Sequence, residues 1–487
     1  MTRIESAEAL ADRYALAVIG AGPAGMAAAI AAAGLGISTL VIDENAGPGG
    51  QIYRAVTTTP VADRAVLGQA YWAGLPLARR FAGAAVDYAA GAKLFSLLPA
   101  GDTPGRGAEI ELGVSLAGAA RTIAATEVVL ATGAMERPFP IPGWTLPGVL
   151  SAGAAQIALK ASGLVPDGQV VIAGSGPLLL LVGSQLQAAG ARIAAVLDTT
   201  PPANTRAALR HAPAFLRSPY AAKGLRLWMQ GRRHLPIRRD VSQLRVEGGG
   251  HVRAVSFVQN GQEQRIACDV LLLHQGVVPN TAITNAIGCA HDWDPTQLCW
   301  APRRDAFLCT TVPGVSVAGD GGGIAGAESA EAAGALAALG AAVRLGRIDA
   351  AARDRLAAPL RATLGRYALG RPFLDALFRP ADSLRIPAAP ETVVCRCEEV
   401  TAGQIAEAVQ RGATGPNQLK TFLRCGMGPC QGRLCNLTVT ELVARLRNST
   451  PEQVGAYRTR PPFKPVTLGE LASLPQTNAA VKAVVRY

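Results

Sequence analysis

Short apolar runs closed by glycine turns set the layout of this chain. Residues 14–19 read YALAVI, an unbroken apolar run bounded by Gly20-Ala-Gly22-Pro23-Ala24-Gly25. A run this short, apolar on both faces, predicts a buried strand. Alanine-rich text to Ala33 then predicts a helix, and STLVI predicts a second strand ending at Asp43-Glu44. Val128-Val-Leu-Ala-Thr132-Gly133 predicts a further strand and turn. The pattern restarts at Gln169, with Gly174-Ser-Gly176, an apolar helix and the strand RIAAVL ending at Asp198. Far downstream, Val315-Ser-Val-Ala-Gly319-Asp320 predicts a strand, a turn and a Gly- and Ala-rich helix. The fold class is therefore α/β, with two dinucleotide-binding (Rossmann-like) domains.

The first loop carries specific chemistry. Gly20 permits a tight turn, Gly22 lets backbone approach a pyrophosphate, and Gly25 lets helix pack on strand. Pro23 and Ala24 open the helix, whose free N–H groups face the phosphates. One carboxylate of Asp43-Glu44 should hold a ribose hydroxyl, and Asp43 is favoured because it comes first after the strand. Gly49-Gly50-Gln51 follows and passes its backbone close to the ligand. In the second loop Leu179 replaces the third glycine. That leucine should hold helix and strand apart and deform the phosphate cradle. Productive NAD(P)H binding, an adenine nucleotide in a non-redox role and an empty scaffold all remain open there. Asp198 meets a ribose or caps a turn.

Composition bounds the rest. At 487 residues the chain should hold two or three domains. Half of it is apolar and 17% is charged, which suits packed layers and not disorder. Glu5, Glu8 and Asp12 break any secretory segment, and the apolar stretch from Val170 to Gly183 is too short and glycine-broken to span a membrane. The expected location is the cytoplasm, where thiols stay reduced. Much of the +12 net charge lies between Arg206 and Arg245. No nucleic-acid fold signature accompanies it, so a solvated face or a partner surface is expected and no nucleic acid.

Five of the nine cysteines fall within 41 residues, as Cys395-Arg-Cys397 and then Cys425, Cys430 and Cys435. Grouped thiolates are what an iron–sulfur cluster needs. Thr401 should cap a helix to Arg411, Asn417 a second to Arg424, and a third should start near Cys430. Such a small helical module is short of core and needs a metal staple. Zinc is the rival metal. Disulfide reduction is excluded, because residues 49–60 and 151–200 contain no cysteine. No general base, nucleophile or histidine cluster stands out, so catalytic residues are unassigned. His211, His234, His251, His274 and His291 are isolated, and His274 reads best as a satisfied buried side chain.

Several resemblances add to this. The Gly319-Asp320 segment, opened by Thr311, resembles the second FAD motif of glutathione-reductase-like flavoproteins. The resemblance implies that Asp320 holds the ribityl chain and that Thr132-Gly133 closes the first half of a split FAD domain. The boundaries implied are 14–145 with 295–380 for FAD and 146–294 for the inserted domain. Residues 388–450 resemble the [2Fe–2S] domain named after the bacterioferritin-associated ferredoxin, with residues 451–487 as a tail. The 32 residues between Cys397 and Cys430 match that pattern, which favours Cys395, Cys397, Cys430 and Cys435 as ligands. Cys425 competes for a place, since it would shorten the gap to 27. DENAGPGGQIYR, ATGAMERPFPIPGW, HQGVVPNT, CRCEEVT, GMGPCQGRLC and RPPFKPVTLGELA resemble one family over nearly the whole chain. It is the larger, FAD-domain component of heteromeric flavin dehydrogenases: opine (octopine and nopaline) oxidase, hydrogen cyanide synthase and D-hydroxyproline dehydrogenase. That resemblance implies an FAD-containing partner subunit that oxidises a C–N bond, room for a third small subunit, and FMN at a subunit interface. Electrons would leave to a quinone or another non-NAD acceptor. The alternative is an NAD(P)H-dependent flavin and iron–sulfur reductase.

Overall fold

In a computed structural model, residues 1–99 and 109–475 are described. The apolar runs become the centres of two sheets. In the first, the strand Arg13–Ile19 lies between Thr39–Asp43 and Ala119–Leu130, parallel to both. Asp87–Ala90 extends the parallel side, while Lys93–Leu98 and Ile110–Leu116 add an antiparallel flank. The strand Val315–Val317 pairs with Val128–Leu130 in parallel, so a segment nearly two hundred residues downstream rejoins this sheet. The helix after it, Ala327–Arg344, packs on the loop helix Pro23–Gly34. There a Cβ at Gly334 would run into the Ala24 carbonyl oxygen.

The intervening chain forms a second, five-stranded parallel sheet. Its order is Ile237–Arg238, Arg192–Asp198, Gln169–Gly174, Val270–His274, Val149–Ser151. A three-stranded antiparallel sheet over residues 241–267 covers one side. The basic stretch after Asp198 folds as the helices Pro202–Leu209, Ala212–Leu216 and Tyr220–His234. Among the described residues no helix is long and apolar enough to cross a membrane.

The C-terminal module has its own apolar core around Ile405, Leu419, Val439 and Val443. Thr401 caps the helix Ala402–Gln410 through a full capping box with Gln404. Two expectations fail here. Asn417 lies inside the helix Pro416–Leu423, not at its cap; its side chain donates to Ala456 O and accepts from Arg458 N. The third helix starts at Asn436, with Cys435 at its N-terminus, and Cys430 lies in the turns before it. Gly426, Gln431 and Gly432 all have positive φ, so this stretch coils before the helix can begin.

Residues 456–473, read as part of a tail, run as a strap from the module back to the first sheet. Phe463 N–H donates to Phe95 O at 2.7 Å, and Glu470 pairs with Ser115. Ala120 N–H donates to Ser473 Oγ at 2.8 Å. Residues 476–487 lie outside the described residues.

Candidate cofactor sites

At the first loop, a Cβ on Gly25 would run into the Gly20 carbonyl oxygen, so only glycine lets the helix approach the strand. Gly50 has φ +60°, and a Cβ there would stand 2.8 Å from Gly22 Cα. The 20–25 and 49–51 loops thus press backbone to backbone, joined by Gly49 N–H to Ala21 O at 2.8 Å. The helix Pro23–Gly34 has no side-chain cap and no acidic residue in its first turn. Its leading N–H groups are left for an anion, which fits a pyrophosphate.

The two carboxylates after the strand divide differently from expectation. Asp43 is buried, and its Oδ2 accepts from Ala21 N at 2.5 Å. Its Oδ1 accepts from Asn45 N at 2.8 Å and Asn45 Nδ2 at 2.7 Å. Asp43 therefore braces the glycine loop. Burial raises its pKa, against the pull of those donors. Glu44 is exposed, beside the strap, where Lys464 Nζ lies 2.7 Å from its Oε2. Glu44 is thus the more exposed of the two carboxylates.

Lys160, which the sequence did not single out, supports the 49–52 loop from below. Its buried ammonium donates to Ile52 O at 2.9 Å, Gln156 Oε1 at 3.0 Å and Gln51 O at 3.4 Å. Gln51 itself is exposed and accepts from Arg54. Burial, with Arg54 nearby, lowers the Lys160 pKa to about 7. Unfolded, this lysine keeps its proton to near its ordinary 10.5. Between those two values the unfolded chain binds the extra proton, so this group makes stability rise with pH across that window. Lys160→Met should flatten that rise, as thermal melts from pH 7 to 10 at fixed ionic strength would show.

Thr132 and Gly133 form the turn after Ala119–Leu130. Asn280 N–H donates to Gly133 O at 3.0 Å, and Thr132 Oγ1 donates to Asn280 O at 3.4 Å. Asp320 follows Gly319 at the end of the downstream strand. Its Oδ1 accepts from Ala325 N at 2.8 Å and Gly326 N at 3.0 Å, which leaves Oδ2 for a ligand hydroxyl. Burial raises its pKa. Thr311, expected to open this motif, is exposed and accepts from Ala290 N.

At the second loop Leu179 is buried in the core, and Asp198 caps the turn through Thr200 N at 3.0 Å. Ser175 Oγ and Thr200 Oγ1 are buried without a partner. His274 closes this loop from the neighbouring strand. It is buried, as the sequence implied, with Nδ1 2.7 Å from Glu136 Oε1, and Glu136 Oε2 accepts from Gly153 N.

The cysteines separate into a trio and a pair. Cys395, Cys425 and Cys435 are buried, with sulfurs within 4.8 Å of one another. Hydrogen bonds from the Cys425 and Cys435 thiols and from Gly426 N–H push the Cys395 thiol down to about 2. The shared protons hold Cys425 up to about 12. Cys397 and Cys430 are less buried and contact each other. The expected set of Cys395, Cys397, Cys430 and Cys435 is thus divided between the two groups, and Cys425 stands inside the trio. Two irons that each need two thiolates fit a pair beside a trio, with one sulfur to spare.

The module is fastened at a seam with the flavoprotein body. Trp144 Nε1 donates to Val393 O at 2.7 Å, and buried Arg385 pairs with buried Glu441. A cavity of about 40 Å³ lies in this seam. Met135, Pro279 and Asn280, beside the Thr132-Gly133 turn, line one side; Gly432, Arg433 and Asn436, flanking Cys435, line the other.

Comparison with known proteins shows the family and the fold. Residues 14–334 match the pyridine nucleotide-disulphide oxidoreductase family, and residues 389–474 match the sarcosine oxidase A3 domain. The opine oxidase component of this kind from Agrobacterium tumefaciens (strain Ach5) is 49% identical over 99% of this chain and 96% of its own length. Hydrogen cyanide synthase subunit HcnB of Pseudomonas aeruginosa is 31% identical over 94% of this chain and 98% of its own. In fold, the chain is similar to L-proline dehydrogenase from P.horikoshii, at a TM-score of 0.67 and 17% identity over 96% of this chain and 80% of that one. The chain belongs to the family of flavin oxidoreductase subunits that includes this opine oxidase component and hydrogen cyanide synthase HcnB.

Proposed function

We propose that this chain is the electron-transfer and scaffold subunit of a heteromeric flavin-dependent dehydrogenase that oxidises a C–N bond in an opine, amino acid, imino acid or amine. The observation that carries the reading is the seam: the cysteine module is fastened beside the turn that closes the first dinucleotide site. When bound, FAD converts between electron pairs and single electrons, and a [2Fe–2S] cluster carries them singly. The chain's own residues hold and shield these groups. Gly20, Gly22, Pro23, Ala24 and Gly25 cradle the pyrophosphate. Glu44 takes the ribose while Asp43 braces the loop. Gly50 and Gln51 cover the dinucleotide, Thr132 and Gly133 form the turn at the flavin, and Gly319 and Asp320 hold the ribityl chain. Cys395, Cys397, Cys430 and Cys435 would hold the cluster.

The substrate pocket belongs to an FAD-containing partner subunit, with FMN at the interface and a third small subunit in the assembly. A cavity of about 790 Å³ beside Gly319 is lined by Arg210, Arg304, Arg371 and Arg379 together with Asp294 and Asp375, and its excess of arginines supports an anionic group such as a flavin phosphate on this chain. We place the chain in the cytoplasm, where thiols stay reduced and available to ligate iron. The partnerless Ser175 and Thr200 hydroxyls support an adenine nucleotide at the second loop, held for stability and not for hydride transfer. Co-purification with the partner, followed by an anaerobic screen of amines, imino acids and opines, tests the reading. Flavin and cluster should bleach only with partner and substrate together. Bleaching of the isolated chain by NADH would make it a self-sufficient reductase instead.

A further inference from the structure

The GMGPCQGR stretch and the strap meet at one side chain, Tyr457. It is 2% exposed. A Cβ on Gly426 would stand 2.6 Å from its ring, and a Cβ on Gly432 would stand 2.8 Å away. Both glycines are thus required by the ring between them. Tyr457 N–H donates to Asn436 Oδ1 at 3.0 Å, and Lys420 Nζ lies 5.2 Å from the ring centroid. The hydroxyl donates to Cys425 Sγ at 3.2 Å. A phenylalanine would fill the same space, so the hydroxyl needs a separate reason. Cys425 is fully buried, and its sulfur lies within 4.8 Å of those of Cys395 and Cys435.

Resting on the [2Fe–2S] reading above, we propose that Tyr457 is a positioning residue that sets the reduction potential of the cluster through Cys425. The phenol occupies a lone pair of the Cys425 sulfur. The Cys425 S–H is thereby turned toward the ligand sulfurs of Cys395 and Cys435. A donor aimed at a ligand thiolate withdraws negative charge from it and favours the reduced cluster. Burial of the ring also keeps water from competing for those sulfurs. The fifth cysteine thus serves as the go-between of a two-step hydrogen-bond relay.

The test is mediated redox titration of the purified chain, read by visible absorption and electron paramagnetic resonance, with iron and sulfide assayed in parallel. Tyr457→Phe should keep wild-type iron and sulfide and lower the midpoint potential. A tenfold change in the one-electron equilibrium, 59 mV, is the expected scale. Cys425→Ala should shift the potential the same way, and Tyr457→Phe added to it should do nothing more. An unchanged potential in Tyr457→Phe overturns the proposal. If that variant fails to load, Cys425→Ala decides, and an unchanged potential there overturns it equally. Loss of iron in Cys425→Ala makes Cys425 a ligand and ends the relay. Wild-type protein without iron and sulfide would instead defeat the cluster reading itself.

Discussion

Cys435→Ser should strip the chain of its iron–sulfur absorption and reduce bound iron to near zero. Cys435 is buried at the N-terminus of the helix Asn436–Leu446, with its sulfur within 4.8 Å of those of Cys395 and Cys425. A serine hydroxyl there is a poor ligand for a thiolate-seeking metal. The module is small, and its core is built partly from the cysteines themselves. Losing the metal should therefore loosen residues 388–450 as well, with faster proteolysis of this segment and a lower first melting transition. Cys425→Ser should keep its iron. Cluster loss in Cys425→Ser with retention in Cys435→Ser would exchange their roles.

Asp320→Ala should leave purified protein markedly depleted of flavin. Asp320 Oδ1 ties down the turn through Ala325 and Gly326, and Oδ2 is the free acceptor for the ribityl chain. Leaving a buried ligand hydroxyl without its partner costs of order 1–3 kcal/mol, a factor of about 5 to 150 in affinity. Removing the turn's anchor adds to that. Flavin content by absorbance after denaturation, and FAD titration of the stripped protein, read the effect. Unchanged flavin, or release of NAD or ATP instead, would mean that the first site serves another ligand.

Much of this was legible in the chain. The apolar runs, the two glycine loops, the Thr401 cap and the Gly319-Asp320 turn are local patterns, and each became the element expected. What escaped depends on direction or on distant partners. Asp43 and Glu44 are adjacent, and only the fold shows that Asp43 turns back to the Ala21 amide. Cys425 looked expendable by spacing, yet the positive-φ coil before Asn436 brings its sulfur beside two others. The same coil moved the helix start away from Cys430. Asn417 looked like a cap, but its amide serves the strap segment at Ala456 and Arg458. Lys160 and Tyr457 carried no motif at all; their roles come from burial against the Gln51 loop and the cysteine turn. The RPPFKPVTLGELA text becomes intelligible as a fastening, with Phe463 on Phe95, Lys464 on Glu44 and Glu470 on Ser115.

On the proposed function, electrons enter this chain as a partner subunit oxidises a C–N substrate, and not from a nicotinamide. Leu179 fills the place where the second loop needs a glycine, and the chain lacks the disulfide that reductases of this fold would use. The most direct measurement is anaerobic stopped-flow of the assembled complex, mixed in turn with its C–N substrate and with excess NADH or NADPH. The expected result is flavin and cluster reduction with the substrate and none on that timescale with either nicotinamide. Flavin reduction by NADH or NADPH faster than by the substrate would contradict the account.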